Sequence, residues 1–363
     1  ALVFAGFAAF LDPPKATAAE GIAVLARAGI AVKIVTGDNE LVTRHLCGAL
    51  ALERQVVLTG AEIAKLDDTA LAARVEDTDL FCRVTPAQKT RILRALQARG
   101  HTVGFMGDGI NDAPALHAAD VGISVDSAVD VAKAAADLIL LEPDLRVLGD
   151  GVAEGRRTFA NIMKYVRMGT SSNFGNMVSM AGASVLLPFL PMLPVQILLN
   201  NFLYDLSEIG IPLDHVDRDD LDRPRRWDMR ALRDFMMVMG TISSLFDFLT
   251  FGVMLYVFDA GPALFQTGWF LESMATQILV IFVIRTRGNP LRSRPHPGLV
   301  VSSLAALAVA IAIPFTPLGP FFGFVLPPAN VLTALTAMVA AYLAAAALAQ
   351  RYLATRRTPL PNR

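Results

Sequence analysis

Two aspartates, Asp108 and Asp112, lie in the glycine-containing segment GDGINDAPAL at residues 107–116. This segment follows the apolar run from Thr102 to Met106, so both carboxylates are expected at the end of a strand. Mg²⁺ in phosphate-handling sites binds one or two carboxylates, keeps several waters and takes further oxygens from phosphate. The pair therefore predicts a site where Mg²⁺ and a phosphoryl group meet.

Other residues suited to phosphate chemistry occur earlier in the chain. Thr36 and the backbone amide of Gly37 could donate hydrogen bonds to phosphate oxygens. Lys89 could neutralise phosphate charge, and Asn111 could tie its loop together by hydrogen bonding. With Asp38, which follows the same predicted strand as Thr36, these residues form the candidate catalytic set.

Each candidate also has a purely structural explanation. Asp-Gly pairs such as the one at Asp108 are common in turns. Asp112 and Asp38 could each cap the helix that follows them. Lys89 could be an ordinary solvated helix residue. Only the combination of these residues at strand ends favours chemistry over structure.

The first 150 residues alternate short apolar runs with amphipathic stretches. The strands are predicted over residues 2–7, 32–38, 79–84, 102–106, 121–125 and 138–141, and the clearest helices over residues 40–51 and 85–100. The second of these helices has Thr85 at the N-cap, Pro86 at its first position and Gly100 past its end. Such alternation predicts a doubly wound parallel α/β sheet, which binds ligands at the carboxyl ends of its strands.

The composition indicates a membrane part as well. The chain has 363 residues, of which 54% are hydrophobic and 18% charged, and this is apolar for a soluble protein. The net charge of −1 gives no indication of a nucleic acid partner. The two cysteines, Cys47 and Cys82, have no metal-ligand spacing and are predicted to be buried free thiols.

Six long apolar segments follow the sheet region, and each is predicted to span a membrane. They cover residues 168–187, 195–213, 235–258, 270–285, 298–314 and 331–349. The fourth is short and carries Glu272, which is interpreted, like Asp247 in the third, as a structural or interface residue. No turn signal occurs between residues 154 and 169, so one long helix is predicted there, with residues 151–168 as a stalk. An amphipathic helix on the membrane surface is the alternative.

Loop charges predict the orientation of this transmembrane domain, residues 169–350. The three connections without lysine or arginine are residues 188–194, 259–269 and 315–330. The arginine-rich parts are residues 214–234, residues 285–297 and the tail at 351–363. This asymmetry is what the positive-inside rule predicts. A multi-pass protein of the cytoplasmic (inner) membrane is expected, with residues 1–150 and the carboxyl terminus in the cytoplasm.

Polar side chains within the first two predicted spans suit a transported ion, because such side chains are costly in a membrane and usually functional. Asn173 and Asn176 stand three apart, and Asn201, Asp205 and Glu208 share one helical face. A hard divalent cation prefers oxygen ligands of this kind. Asn176, Asn201 and Asp205 are the predicted ligands, with Asn173 and Glu208 as second choices. Interhelical hydrogen bonding is the alternative.

Several segments resemble the phosphorylation domain of P-type ATPases, within the haloacid-dehalogenase-like superfamily. They are TGD at 36–38, TPAQK at 85–89 and GDGINDAPAL at 107–116, with DPPK at 12–15 similar to the hinge of the family. Two membrane segments look like those of bacterial magnesium-transporting P-type ATPases. They are NNFLYDLSEIGIPLDHVD at 200–217 and SSLFDFLTF at 243–251.

The resemblance implies roles for the candidate residues. Asp108 and Asp112 would hold the catalytic Mg²⁺, and Lys89 and Thr36 would contact the phosphoryl group. Asp38 would belong to the same loop, near the nucleotide. The fold implied is an incomplete haloacid-dehalogenase-like domain, residues 1–150, followed by an all-α domain of six transmembrane helices.

The resemblance also implies ATP-driven import of Mg²⁺ through an aspartyl-phosphate intermediate. Mg²⁺ and ATP would be cofactors, Mg²⁺ also the cargo, and membrane lipid a partner. Asn176, Asn201 and Asp205 match positions that coordinate the transported ion. The nucleophilic aspartate of the family lies in an Asp-Lys-Thr-Gly-Thr motif, which does not occur in this sequence. The chain is therefore expected to be the carboxyl-terminal portion of a pump, inactive without its amino-terminal portion.

Other functions remain open at this point. A P-type pump for Ca²⁺ or H⁺ would share the phosphate motifs, although the asparagine-rich membrane site argues against it. A membrane-anchored haloacid-dehalogenase-like phosphatase would need an aspartate at the end of the first strand. The nearest acid, Asp12, comes late and precedes Pro13 and Pro14. A non-enzymatic membrane regulator is the last alternative, and the intact GDGIND segment argues against it.

Overall fold

The computed structural model describes residues 15–50, 56–142, 144–222, 224–286, 288–290 and 292–356. The chain forms two compact units, Ala1–Glu154 and Gly155–Arg363. The predicted strand at 2–7, the DPPK segment and Asp12 lie outside the described residues.

Short parallel strands build the first unit. Strands β1 (Ile34–Val35), β2 (Val57–Thr59) and β3 (Leu80–Cys82) pair in the order β1-β3-β2. Strands β4 (Gly104–Met106), β5 (Val121–Val125) and β6 (Leu138–Leu140) pair in the order β4-β5-β6. All these pairings are parallel. The expected parallel α/β architecture is confirmed, as two three-stranded sheets within the described residues, with β1 and β4 each at an edge.

Helices alternate with these strands, as the sequence predicted. They are α1 (Ala18–Arg27), α2 (Glu40–Ala49), α3 (Gly60–Ile63), α4 (Asp68–Val75), α5 (Pro86–Ala98), α6 (Ala113–Ala118) and α7 (Asp130–Ala135). Strand β2 and helices α3, α4 and α7 were not predicted from the sequence. One hydrophobic core joins both sheets, because Leu58 and Phe81 of the first sheet are buried in the same cluster as Phe105 of the second.

Helix α5 has the ends that its sequence predicts. The Thr85 side chain accepts a hydrogen bond from the Gln88 backbone N–H at 3.3 Å, and Gln88 Oε1 accepts one from the Thr85 N–H at 2.9 Å. Pro86 occupies the first turn, and Gly100, past the end, has φ of +86°. This capping box fixes where the helix starts and therefore where its side chains stand.

The two cysteines are free and buried, as predicted. Cys47 on α2 and Cys82 on β3 belong to one small cluster with Leu80. Burial raises the pKa of the Cys47 thiol, and the neighbouring Cys82 adds to that shift. Both cysteines therefore behave as apolar packing residues.

Helices alone build the second unit. They are α8 (Leu145–Leu186), which begins before the unit boundary, α9 (Pro194–Glu208), α10 (Arg218–Asp222), α11 (Met229–Gly252), α12 (Pro262–Ile284), α13 (Pro297–Ala312) and α14 (Ala329–Arg356). Helix α8 is continuous over 42 residues. The single helix expected over residues 154–169 is therefore present. A π-helical turn, Val253–Val257, extends α11.

Four helices of the described chain are long and apolar enough to cross a membrane. They cover Met229–Val257, Pro262–Ile284, Pro297–Phe315 and Ala329–Leu353. These match the last four predicted spans. The helix that matches the predicted span 270–285 begins earlier than predicted, at Pro262. The protein is therefore a multi-pass membrane protein.

The first two predicted spans do not meet the same criterion and stay predictions. The segment 168–187 lies within α8, where the polar run from Thr170 to Asn176 lowers the mean hydropathy. The segment 195–213 is interrupted, because α9 has 15 residues and ends at Glu208. At 1.5 Å per residue that helix is roughly 22 Å long, shorter than the ~30 Å hydrocarbon core.

Helix α12 occupies the centre of the helical unit. It packs against α14, α13, α9 and α11. Its Phe265, Phe270, Met274 and Ile281 are fully buried in the main core cluster. The short predicted span that carries Glu272 thus belongs to the helix that the other helices surround.

Candidate functional site

The Asp112 carboxylate closes the loop after β4. Its Oδ1 accepts a hydrogen bond from Lys89 Nζ at 2.7 Å, and its Oδ2 accepts one from the Gly109 backbone N–H at 3.2 Å. Asp112 precedes α6, but its side chain makes no capping hydrogen bond to that helix. Capping of α6 therefore does not explain this residue, whose side chain instead accepts from the Gly109 N–H at the start of the 3₁₀ turn Ile110–Asp112.

The same loop requires a glycine at position 107. A Cβ on Gly107 would stand 2.5 Å from Asp112 Cβ, which is closer than two non-bonded carbon atoms approach. The Ser124 hydroxyl donates to the Gly107 carbonyl at 2.9 Å, and the Gly107 N–H donates to the Ile123 carbonyl at 3.1 Å. The Gly107 backbone is thus hydrogen-bonded to β5, and the Asp112 side chain occupies the space where a Cβ would stand.

Asp108 and Asn111 stand on the outer side of this loop. Both residues are exposed. The Asp108 carbonyl accepts a hydrogen bond from the Val129 N–H at 3.1 Å, which fixes its backbone and leaves its carboxylate facing solvent. Asn111 was expected to tie the loop together. Among the described residues, the Asp112 carboxylate and the Ser124 hydroxyl do so instead.

Lys89 is not a solvated lysine. Its side chain is 15% exposed, and that of its partner Asp112 is 13% exposed. The ion pair is therefore largely withdrawn from water, where a charge without a partner would be costly. Because α5 carries Lys89, the Thr85 cap at its start sets the position of the ammonium group.

The loop after β1 holds the second group of candidates. Thr36 Oγ1 donates to Asp38 Oδ2 at 3.1 Å and accepts from the Asp38 N–H, also at 3.1 Å. Asn39, not Asp38, caps α2 by accepting from the Val42 N–H at 3.0 Å. Gly37 and Asp38 are exposed. The capping explanation for Asp38 is therefore wrong, and its carboxylate instead orients Thr36.

Gln88 was not among the predicted site residues, yet it positions α5. Besides capping α5, its Nε2 donates to the Gly60 carbonyl at 2.8 Å and so ties α5 to α3. A Cβ on Gly60 would lie 2.2 Å from the carbonyl oxygen of Arg83, whose φ is +53°. The signal was present in the sequence, since Thr85 followed three residues later by Gln88 is a capping box.

The site thus consists of two hydrogen-bonded groups at the ends of two edge strands. The structure joins Lys89 to Asp112 and Thr36 to Asp38, and it gives no direct contact between these two groups among the described residues. No cluster of three or more His, Cys, Asp and Glu side chains is found in the described part of the chain. Mg²⁺ does not require such a cluster, because one or two carboxylates suffice when phosphate and water supply the rest. The exposed Asp108 fits that donor set, and so does Asp112, because each of its oxygens accepts one hydrogen bond and keeps a lone pair for a metal.

The candidate transport residues fall into two groups in the helical unit. Asp205 and Glu208 on α9 line one cavity of about 430 Å³, together with Asn161 and Tyr165 of α8. Asp205 is exposed, whereas Glu208 is 4% exposed and its Oε1 has no hydrogen-bond partner among the described residues. An oxygen of this kind beside a cavity is suited to receive a ligand.

The three asparagines do not line that cavity. Asn201 is exposed on α9, Asn173 is exposed on α8, and Asn176 is half-buried there. The neighbouring Asn200, which the sequence analysis did not select, is buried and its Oδ1 has no partner in the described chain. Asp205 and Glu208 thus share a cavity whose lining does not include the three asparagines.

A buried charge cluster around Asp214 lies just beyond α9. Lys164 Nζ donates to Asp214 Oδ2 at 2.7 Å, Arg285 donates from Nε at 2.9 Å and from Nη2 at 3.0 Å, and the His296 N–H donates at 3.1 Å. The Asp214 side chain is fully buried. Burial raises the pKa of this carboxyl, but the hydrogen bonds from Arg285 and Lys164 outweigh burial and hold the pKa below its ordinary value. Nothing in the sequence distinguished Asp214 from other loop acids.

Comparison with protein families places both halves of the chain. Residues 3–120 match the model of the haloacid dehalogenase-like hydrolases, and residues 189–352 match that of the cation transporting ATPase C-terminus. The first match covers both site loops, and the second covers α9 to α13 and most of α14.

Individual relatives match over nearly the whole chain. A protein named "Magnesium-transporting ATPase, P-type 1" from Salmonella typhimurium strain LT2 is 47% identical over 98% of this chain and 40% of its own length. Its namesake from Escherichia coli strain K12 is also 47% identical over the same shares. A "Calcium-transporting ATPase" from Bacillus subtilis strain 168 is 30% identical over 88% of this chain and 37% of its own length. The chain thus spans about two-fifths of the length of these relatives.

Proposed function

Because the chain belongs to the P-type ATPases, we propose that it is the carboxyl-terminal part of a pump that uses ATP to import Mg²⁺. The observation that carries this proposal is the Lys89–Asp112 ion pair beside the exposed Asp108, at the carboxyl end of an edge strand. The 47% identity to magnesium-transporting relatives supports the choice of cation. The phosphate-accepting aspartate and the nucleotide-binding domain are proposed to lie in the rest of the pump.

In the phosphorylation site, we assign each group a separate task. Asp108 and Asp112 would hold the Mg²⁺ ion, which when bound supplies positive charge to phosphate oxygens. Lys89 would direct its ammonium group at the transferring phosphoryl group while keeping Asp112 in place. The Gly37 N–H would donate a hydrogen bond to an equatorial oxygen, and the Thr36 hydroxyl would do so when its single hydrogen turns from Asp38 to the phosphate.

Asp38 would act through Thr36 rather than on the phosphoryl group. Its carboxylate accepts the single hydroxyl hydrogen of Thr36 and would hold that hydroxyl in place until a phosphate oxygen accepts the hydrogen instead. The position of β1 and β4 at sheet edges supports a further point. A parallel strand added beside either edge would end next to one of the two loops, and ligands bind at such carboxyl ends. We propose that the acceptor aspartate is presented in this way.

In the membrane, we propose that Asp205, Asn201 and Asn176 coordinate the transported Mg²⁺, with Glu208 and Asn173 in support. The exposed position of Asp205 and Asn201 on α9 supports this assignment, because parts of the pump outside this chain could supply further oxygens there. Asp205 also borders the cavity of about 430 Å³, which offers a route for a hydrated ion.

The arginine-rich connections support an orientation with both site loops and the carboxyl terminus in the cytoplasm. We propose the cytoplasmic membrane as the location, with lipid, ATP and Mg²⁺ as partners. Import from outside then requires the ion to leave towards the site loops. Under this proposal, the chain without the rest of the pump has no ATPase activity.

The phosphorylation site is tested in the complete pump with Lys89→Met and a matched control, Lys133→Met. Lys133 is also on a helix of the first unit, but its partner Asp130 is exposed. Phosphoenzyme formed from radiolabelled ATP is the readout. Loss of one preorganised charge predicts a decrease of about 10²-fold in the rate of phosphoenzyme turnover for Lys89→Met and no change for Lys133→Met. Equal effects in both variants would reject the assignment.

The cation is tested by uptake into vesicles containing the complete pump, with catalytic Mg²⁺ held constant. Mg²⁺ uptake that Asp205→Asn abolishes, with phosphorylation from ATP preserved, is the expected result. The Bacillus subtilis relative makes Ca²⁺ the second candidate. Uptake of Ca²⁺ without Mg²⁺ would replace the proposed cargo.

A further inference from the structure

A buried pair of carboxyl groups lies inside the helical unit, outside the cavity that Asp205 and Glu208 line. Asp247 on α11 and Glu272 on α12 lie close enough for a hydrogen bond between their carboxyl groups. The two residues are 3% and 1% exposed. From the sequence, both were interpreted as structural or interface residues. Their direct contact has a chemical consequence, because a carboxylate has no hydrogen to donate and one group of such a pair must carry a proton.

The partners of Asp247 indicate which group is ionised. Ser179 Oγ donates to Asp247 Oδ2 at 2.6 Å, and Trp269 Nε1 donates to Oδ1 at 2.9 Å. Two donors on one carboxyl favour its ionised form. The proton between the two acids therefore belongs to Glu272, which donates to Asp247.

Glu272 itself has a different environment. Its Oε2 is buried and has no hydrogen-bond partner in the described part of the chain. Leaving a neutral carbonyl oxygen unpaired is much less costly than leaving a charged one unpaired. The unpartnered oxygen therefore agrees, independently of the contact with Asp247, with a protonated Glu272.

No basic side chain of the described residues acts on either acid. The titratable group that faces them from α14 is Tyr342, which is 5% exposed, and α8 contributes the neutral Ser179. If both carboxyls were ionised, two negative charges would touch in an apolar setting. A site of this kind retains one proton, as do close carboxyl pairs in other proteins.

We propose that Asp247 and Glu272 form a proton-binding site that holds one proton between α11 and α12. This inference concerns a ligand and residues separate from the proposed Mg²⁺ sites, and it stands whichever cation the pump carries. Loss of the proton would turn an attraction between the two helices into a repulsion. The contact between α11 and α12 thus depends on whether the two acids hold a proton.

Infrared spectroscopy of the complete pump in lipid nanodiscs tests the proposal directly. The wild-type protein should show the carbonyl stretch of a protonated carboxylic acid at neutral pH, and that band should shift in D₂O. Glu272→Gln keeps a hydrogen-bond donor towards Asp247 but removes the acid, so the band should be lost. The control is Asp234→Asn, an exposed acid on α11, which should keep the band.

A second variant separates the other buried glutamate. Glu208→Gln should leave the Glu272 band in place, because Glu208 lies on α9 and outside the pair. A band that disappears in Glu208→Gln and persists in Glu272→Gln overturns the proposal. So does a wild-type protein that shows no band of a protonated acid.

Two measurements on the wild-type protein remain decisive even if a variant fails to fold. Labelling the glutamate carboxyl groups with ¹³C should shift the band, and a band that ignores the label contradicts the assignment to Glu272. Addition of Mg²⁺ at constant pH should leave the band unchanged. Its disappearance would show that a metal cation displaces the proton, and the site would then be a cation site.

Discussion

Lys89 Nζ lies 2.7 Å from Asp112 Oδ1, although 23 residues separate the two in the chain. The contact joins α5 to the loop after β4 and brings a cation to a carboxylate that also holds the Gly109 N–H. A basic and an acidic candidate, chosen separately from the sequence, are thus parts of one arrangement. Substitution of either residue should therefore change the position or the charge balance of the other.

Lys89→Met should loosen the loop after β4. Asp112 would keep its largely buried carboxylate but lose the ammonium that balances it, at a cost of about 1–3 kcal/mol. Hydrogen exchange of the segment 107–112 in the purified protein is the measurement, and faster exchange is expected. Lys133→Met should leave exchange of that segment unchanged. An unaltered rate in Lys89→Met would mean that the ion pair contributes nothing to loop order.

Gly107→Ala should disturb the same loop by steric overlap. The added Cβ meets Asp112 Cβ at 2.5 Å, so the loop must shift, at a cost of about 1–3 kcal/mol. Gly151→Ala, on the exposed side of α8 with nothing within 4 Å, is the matched control and should be neutral or stabilising by up to about 1 kcal/mol. Thermal unfolding and phosphoenzyme formation of both variants are the readouts. Normal phosphorylation in Gly107→Ala would show that the loop tolerates the shift.

Asp214→Ala should destabilise the helical unit strongly. Lys164 and Arg285 would remain buried without their shared counter-charge, and breaking such a buried arrangement costs about 3–5 kcal/mol. The expected result is a marked decrease of the thermal unfolding temperature in detergent. Asp234→Ala, which removes an exposed acid, should change that temperature little. Similar temperatures for the two variants would contradict the role given to Asp214.

The same carboxylate should make stability depend on acid pH. The pKa of Asp214 is lower in the folded protein than its ordinary value, because the hydrogen bonds from Arg285 and Lys164 outweigh burial. The unfolded chain therefore binds this proton first as the pH falls. The stabilisation is complete above the ordinary value of about 4 and is lost as the pH falls through the lower folded pKa.

Asp214→Asn separates this component from the other acids. Its thermal unfolding temperature should fall less between neutral and acid pH than that of the wild-type protein. Asp234→Asn provides the comparison and should keep the wild-type slope. A wild-type slope in Asp214→Asn would assign the acid sensitivity to other carboxyls.

The sequence predicted the elements better than the contacts. The pattern of α5, with Thr85, Pro86 and Gly100, predicted both of its ends because capping is local chemistry. The strands β3 to β6 were also predicted within two residues at either end. The Lys89–Asp112 contact was not predictable, because it depends on how α5 packs against α6 and the turn Ile110–Asp112. The membrane part shows the same limit. Apolar length predicted six spans, and four of them are helices long and apolar enough to cross a membrane. The Asp214 cluster, in contrast, joins residues that are 50 to 82 apart in the chain.

The end of α9 at Glu208 has a consequence for the backbone hydrogen bonds of the residues that follow it. Past Glu208 the backbone leaves the helix, and its carbonyls need donors that a helix would have supplied. Asn161 Nδ2 provides them, donating to the Pro212 carbonyl at 2.9 Å and to the Asp214 carbonyl at 3.0 Å. One amide on α8 thus supplies the donors for these two carbonyls, next to the 3₁₀ turn Ile211–Leu213 that follows α9. The backbone at these two positions therefore has hydrogen-bond partners within the protein and does not depend on water.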